Sequence, residues 1–120
     1  MPSQAEHLFK ATNNKTFAQG LTKGTPTAVG WALTVLFYSA LHYVEAYNAK
    51  FNAHFSKHEE LNKDIQRNPQ LSVIFDDYRD LSTFSWNARY RPVAYGEKEL
   101  NEALACHAAV EEHVTELLSR

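Results

Sequence analysis

Residues 31–47, WALTVLFYSALHYVEAY, limit what this chain can fold into more than any other segment. The stretch is apolar over helical length, and its polar side chains Tyr38, His42 and Glu45 fall at i, i+4 and i+7. On a helix these three form one stripe along an otherwise greasy cylinder. A helix that is apolar nearly all round is expected to be buried on all sides. In such surroundings a phenol, an imidazole and a carboxylate each need partners, because an unpaired buried polar group costs roughly 1–3 kcal/mol. The stripe therefore marks either a structural hydrogen-bond network or the wall of a site.

Proline and glycine punctuate the rest of the chain. Residues 2–19 read as a first helix with Ala5, Leu8, Phe9, Thr12 and Phe17 on its apolar face. A break is expected near Asn13-Asn14, with Gly20 as terminator. Residues 20–27, GLTKGTPT, form a loop in which Thr27 can cap a second helix over about 28–53, where Gly30 permits close approach of a neighbour. Ser56 and Glu59 have capping-box spacing and predict a short third helix over 57–67. Asn68-Pro69 reads as the start of a fourth helix, 69–90, with Leu71, Ile74, Phe75, Tyr78, Leu81 and Ser85 on one face. After a loop at 91–96, a fifth helix over Glu97–Leu118 carries Leu100, Leu104, His107, Val110, Val114 and Leu117 at three- and four-residue steps. No segment alternates with period two for long enough to build a sheet. The expected architecture is all-α: an antiparallel four- to five-helix up-and-down bundle, one domain over residues 1–120, with the second helix central.

Composition narrows the function classes. A formal charge of −2 gives no global attraction to polyanions, so nucleic-acid binding would need a local basic patch. The single cysteine, Cys106, excludes an internal disulfide framework and fits a reducing cytoplasm. Residues 2–15, PSQAEHLFKATNNK, lack the apolar core of a signal peptide, and the apolar run 28–41 falls short of the ~20 residues a membrane span needs. A soluble cytoplasmic protein without a membrane partner is the expectation.

Chemistry is concentrated on the fourth helix. Tyr78, Ser85 and Arg89 share a face at i, i+7 and i+11, with Leu81 between them. Arg89 cannot lose its charge, and its fork suits a carboxylate or a phosphate. Two partners follow. Glu45 could meet it inside the bundle and seal the interior, or it could hold phosphate beside Tyr90 and Arg91, since Arg-Tyr-Arg offers charge and a stacking ring. His54 and His58 have the i, i+4 spacing of zinc ligands, with His42 as a third if the helices fold together. Their spacing crosses the expected break at Ser56 and no H-E-x-x-H pattern accompanies it, so no metal and no cofactor is expected. Cys106 reads as a small buried hydrophobe and His107 as an edge residue of the fifth-helix seam. Ser39 and Ser85 lack a nucleophile-elbow context, the adjacent pairs Asp76-Asp77 and Glu111-Glu112 point apart, and GLTKGT matches no phosphate-binding loop. No catalytic residue is expected.

Together, W-A-x-x-x-x-F-Y-x-A-L-H over 31–42, His58, and Tyr78-x-x-Leu81-x-x-x-Ser85-x-x-Ala88-Arg89-Tyr90 resemble a bacterial group of HEPN (higher eukaryotes and prokaryotes nucleotide-binding) helical-bundle proteins. The resemblance implies a four- or five-helix bundle, frequently dimeric, acting in RNA cleavage, in toxin–antitoxin or defence systems, or in non-catalytic binding. Ribonucleases of that family carry an arginine followed four to six residues later by a histidine. None of Arg67, Arg79, Arg89, Arg91 or Arg120 has a histidine at that distance. The expectation is a non-catalytic HEPN-like homodimer that binds a nucleotide, an RNA segment or a protein partner. Its cleft would be lined by Tyr38, His42, His58, Ser85, Arg89 and Tyr90, with Glu45 and Tyr78 in a structural network. Arg89 would hold phosphate, Tyr90 would stack or hydrogen-bond, and His42 would position Tyr38 or the ligand. Two alternatives stand beside it. One is a metal-independent ribonuclease with His58 or His42 as general acid–base and Arg89 stabilising the developing charge. The other is a purely structural interaction module.

Overall fold

Helix ends in this protein follow local capping chemistry. In the computed structural model, which describes residues 2–21 and 25–120, helix α1 (Gln4–Gly20) opens on a reciprocal box. The Ser3 hydroxyl accepts the Glu6 N–H, and the Glu6 carboxylate accepts the Ser3 N–H, both at 3.1 Å. Helix α2 (Pro26–Ala49) is capped by Thr25, whose hydroxyl accepts the Ala28 N–H at 3.3 Å. The cap is therefore Thr25 and not Thr27, because proline, with no N–H to lose and φ already helical, takes the first helical position. The far end of α2 stops short of the predicted residue 53. Asn52 adopts a left-handed φ of 58°, the Ala53 N–H bonds the Asn48 carbonyl at 3.0 Å, and the Asn52 N–H bonds that of Ala49 at 3.1 Å. That pattern is a Schellman stop, with asparagine in the place glycine usually holds.

Helix α3 (His58–Arg67) begins one residue too late for a Ser56–Glu59 box, and Lys57 precedes it without a side-chain cap. Asn68 caps a turn instead of a long helix. Its side-chain oxygen accepts the Gln70 N–H at 2.9 Å, a 3₁₀ turn follows over Ser72–Ile74, and helix α4 (Phe75–Tyr90) starts only then. Helix α5 (Glu97–Leu118) has the predicted bounds, and the Glu99 carboxylate accepts the Gly96 N–H at 2.9 Å to start it. The described residues contain no strand.

Helix α2 is the hub. It packs against α1, α4 and α5, while α3 leans on α4 and the 3₁₀ turn. Leu33, Leu36, Phe37 and Val44 of α2 join Tyr78 and Leu81 of α4 and Val110 and Val114 of α5 in one buried cluster. Contacts along α1 and α2 read in opposite order, with His7 near His42 and Glu45 and Ala11 against Ser39. Those along α2 and α4 do the same, with Gly30 beside Ala88 and Phe37 against Tyr78.

Two expectations fail here. Of the α1 face predicted to pack, only Leu8 does so, half-buried against the core; Phe9 and Phe17 are 68% and 60% exposed and Ala5 and Thr12 are exposed as well. The face that packs is His7, Ala11 and Ala18. Small side chains let the α1 backbone come close enough for the Ser39 hydroxyl to donate to the Ala11 carbonyl at 2.7 Å, which a phenyl ring there would prevent. Nor is α2 buried all round. Val35, Tyr38, His42 and Glu45 are only half-buried and Trp31 is exposed, so the polar stripe lies on the one face of α2 that no helix fully covers. Among the described residues α1 and α4 do not pack on each other, which leaves that face open between them. Helix α2 is also long and apolar enough to cross a membrane, unlike the shorter run 28–41, although most of it is buried among its neighbours.

Gly30 is not needed for close approach. A Cβ built there meets the Ala88 Cβ at 3.8 Å, an ordinary contact. Gly30→Ala should therefore raise stability by about 0.5–1 kcal/mol, the gain of removing glycine from a helix interior. Urea unfolding checks this, and a loss of stability would show that the space beside Ala88 is not free.

Candidate functional site

The stripe on α2 divides between its two flanks. Tyr38 serves the α4 side, whereas His42 and Glu45 serve the α1 side. On the α4 side, an Arg89 terminal nitrogen donates to the Tyr38 hydroxyl at 3.1 Å and its Nε donates to the Ser85 carbonyl at 3.2 Å. The guanidinium lies 5.7 Å from the Tyr38 ring centre and 5.1 Å from that of Tyr90, a cation–π arrangement on both sides. Tyr90 in turn stacks on Trp86 at 4.4 Å. No carboxylate among the described residues pairs with Arg89. Its partners are neutral acceptors and ring faces, which orient the fork without neutralising it. Arg89, Tyr90, Ala88 and Tyr95 border a cleft of about 400 Å³ whose other wall is the first turn of α2, Pro26, Thr27, Gly30 and Trp31. The positive end of the α2 dipole and the free guanidinium thus face one space.

On the α1 side, three potential ligand atoms converge. His7 Nδ1 lies 3.1 Å from His42 Nδ1 and 3.2 Å from Glu45 Oε2, and His42 Nδ1 lies 3.9 Å from the same oxygen. Burial lowers the pKa of His7, helped by the charge of His54. Burial also lowers His42, with contributions from His7 and Lys10, to about 4. Glu45 moves up for the same reason, with His54 opposing. Because burial disfavours the charged form of both imidazoles, the short His7–Glu45 contact is a hydrogen bond from a neutral ring to the carboxyl group and not an ion pair.

The expected pairing of Glu45 with Arg89 does not form. Glu45 is seven residues beyond Tyr38, about 10 Å further along the helix axis. Arg89, at the end of α4, reaches only the Tyr38 level. Ser85 does not line the cleft either: it is fully buried, and its hydroxyl has no partner among the described residues. Tyr78 is buried too, and its hydroxyl is likewise unpartnered. Burial raises its pKa, with the charges of Glu45 and Tyr38 adding to the effect. His42 does not position Tyr38, since it is engaged with His7. His58 is exposed, with its ring centre 6.5 Å from that of Tyr38, and does not pair with His54 as a metal site. Of the six expected lining residues, Arg89 and Tyr90 border the cleft; Tyr38 adjoins it through its bond to Arg89, His58 neighbours the Tyr38 ring, and His42 and Ser85 lie elsewhere. The residue that sequence reading missed is His7. Its signal was a histidine two turns ahead of Asn14 on the small-residue face of α1, hidden behind the more conspicuous phenylalanines.

A second polar group is structural. Ser39 gives its proton to the Ala11 carbonyl, so His107 Nε2, 2.8 Å away, must donate to the Ser39 oxygen. A serine held that way is no nucleophile. Tyr43 donates to Glu111 at 2.7 Å, and Lys15 bonds both Glu111 oxygens at 2.7 and 3.0 Å. Burial opposes ionisation of Glu111, yet the bonds from Lys15 and Tyr43 outweigh it and hold the carboxyl below its ordinary value. Burial raises the Tyr43 phenol to about 12, and Cys106 to about 11 with help from Asp77 and Asp80, which leaves the thiol unreactive.

Stability should carry the mark of the buried imidazoles. An unfolded His42 takes up a proton near 6.5, whereas the folded one resists until about 4. The unfolded state therefore binds more protons as pH falls, so this contribution is complete above 6.5 and drains away towards 4. In chelator-treated protein the urea midpoint should be lower at about pH 5.5 than at about pH 7.5, and His42→Gln should flatten part of that slope. A level midpoint over that interval contradicts a neutral buried His42. No protein-family model, no curated protein and no solved structure matches this chain.

Proposed function

We propose that this chain is a non-catalytic, HEPN-like up-and-down bundle that binds a nucleotide or a short RNA segment in the cleft between the start of α2 and the end of α4. The observation that carries the reading is Arg89. It is a permanent cation with no carboxylate partner among the described residues, gripped by two tyrosine rings, at the edge of a cleft that begins at a helix N-terminus. A phosphate would bridge the guanidinium and the first turn of α2. A base would lie against the exposed rings of Trp31 or Tyr90, 57% and 61% exposed. Opposite contact order along α1, α2 and α4 supports the up-and-down arrangement. In the HEPN-like reading the protein works as a cytoplasmic homodimer within a toxin–antitoxin or defence system, and the exposed Phe9, Phe17 and Trp86 supply apolar surface for a partner copy.

A second reading, metal-independent RNA cleavage, is favoured by one observation. The His58 ring lies 6.5 Å from that of Tyr38, so an acid–base group and Arg89 neighbour the same ring. It stays second because no arginine–histidine signature accompanies the pair.

Tryptophan fluorescence tests the binding reading directly, since Trp31 lines the cleft and Trp86 stacks on Tyr90. Titration with ATP or an oligoadenylate should quench emission saturably. Arg89→Ala should weaken binding by at least about tenfold, the worth of a charge-assisted hydrogen bond, while stability stays within about 0.5 kcal/mol. Undiminished affinity in that variant, or no saturation with either probe, defeats the reading. RNA cleavage that disappears in His58→Ala would replace it with the enzymatic one.

A further inference from the structure

We infer that His7, His42 and Glu45 form a binding site for a borderline divalent transition-metal ion, with Zn²⁺ as its reference ligand. Tetrahedral zinc with bonds of about 2.0–2.1 Å holds its ligand atoms about 3.3–3.4 Å from one another. The three separations here, 3.1, 3.2 and 3.9 Å, bracket that value before any adjustment to an ion. Two imidazole nitrogens and one carboxylate oxygen are a donor set suited to zinc, cobalt or nickel. A single oxygen donor is too few for calcium or magnesium, which want oxygen shells.

Neutral imidazoles present a lone pair on one nitrogen each, and a carboxylate is an acceptor only. Three such atoms facing one point can satisfy one another only by sharing protons, and no lysine or arginine bonds any of them among the described residues. A cation at their centre would satisfy all three at once. Nearby charges do not forbid it. Lys10 and Glu6 line the adjoining hollow with opposite signs, and His54, in the turn after α2, acts electrostatically on both His7 and Glu45. That hollow, about 410 Å³ and bounded by Pro2, Ala5, Phe9 and His42, gives the ion a path from solvent and leaves its fourth position for water.

Helix α1 offers α2 only Ala11 and Ala18 as fully buried apolar side chains. With ligands from both helices, a bound ion would pin the start of α1 to the last turns of α2 and add to a thin contact. Binding to the folded state alone then raises the melting temperature.

The experiment uses the untagged full chain, stripped with chelator and returned to metal-free buffer. Zn²⁺ titrated by calorimetry should bind one ion per chain with micromolar or tighter affinity and raise the melting temperature. Co²⁺ should give the intense visible absorption of a tetrahedral site. His42→Ala and the near-isosteric Glu45→Gln should each weaken Zn²⁺ binding by roughly 100-fold or more, since even outer-shell changes cost 10–100-fold. His113→Gln, remote from the cluster, should bind as the parent does. Absence of saturable binding overturns the proposal, and so does affinity retained in Glu45→Gln, which keeps the fold if His42→Ala does not. Weak octahedral Co²⁺ absorption with no thermal shift overturns it as well. Nucleotide binding at Arg89 is read separately, so the two readings fail independently.

Discussion

Burial of α2 is the constraint from which the rest of this structure follows. Its interior-facing side chains, from Val29 through Tyr47, are nearly all shut away from water. Each fully buried leucine or phenylalanine contributes about 1.5–3 kcal/mol relative to exposure. Three helices are recruited to cover that surface, and they approach from the sides where it is greasiest. What they leave open is the line of side chains that least tolerates dehydration. The stripe is thus a consequence of packing economy on the other faces, and the gap between α1 and α4 exists because polar groups on α2 favour water or each other over a fourth neighbour.

That gap has two chemically different ends. Towards the start of α2 and the end of α4 it is aromatic and cationic. Arg89 is held by neutral acceptors and rings, so its charge stays available to something outside the fold. Towards the end of α2 and the start of α1 it is an enclosed cluster of donor atoms with no fixed positive charge bonded to it. The two ends sit one helical turn apart at Tyr38 and His42, yet share no hydrogen bond. The polar interior beneath α1 is of a third kind. Ser39 is held between His107 and the Ala11 carbonyl, and Tyr43 and Lys15 both bond Glu111, so these groups find partners within the fold, which is how buried polar groups persist without a ligand.

Much of the fold was legible because the strongest signals were local. Helix α5 lies where its periodicity and the loop ending at Gly96 put it, since nothing competes with that pattern. Helix starts are less legible: α2 is capped by Thr25 although Thr27 is equally suited, and α3 and α4 begin after Lys57 and Ile74 with no side-chain cap to mark them. Helix α1 was turned to the wrong face for a different reason. Its phenylalanines have the larger transfer free energy, but a Ser39 hydroxyl that needs the Ala11 carbonyl requires small side chains at the contact. For the site, Tyr38, Arg89 and Tyr90 were legible as a cationic aromatic group, and His58 falls beside them. Glu45 was assigned to Arg89 because a helical wheel reports direction around the axis and is blind to distance along it.

By itself, then, the sequence determined that helical segments would bury a central α2, that a polar stripe would run along that helix, and that Arg89 and Tyr90 would stand together at the end of α4. Periodicity and composition are local quantities, and these features depend on them alone. Only the tertiary structure decided which partner each polar group receives. His7 reaches His42 and Glu45 because α1 lies against the last turns of α2, and Arg89 stays free of carboxylates because α4 ends level with Tyr38. Both outcomes are set by the axial offset between packed helices, which depends on side-chain volume and loop length across the whole chain and has no signature within any one segment.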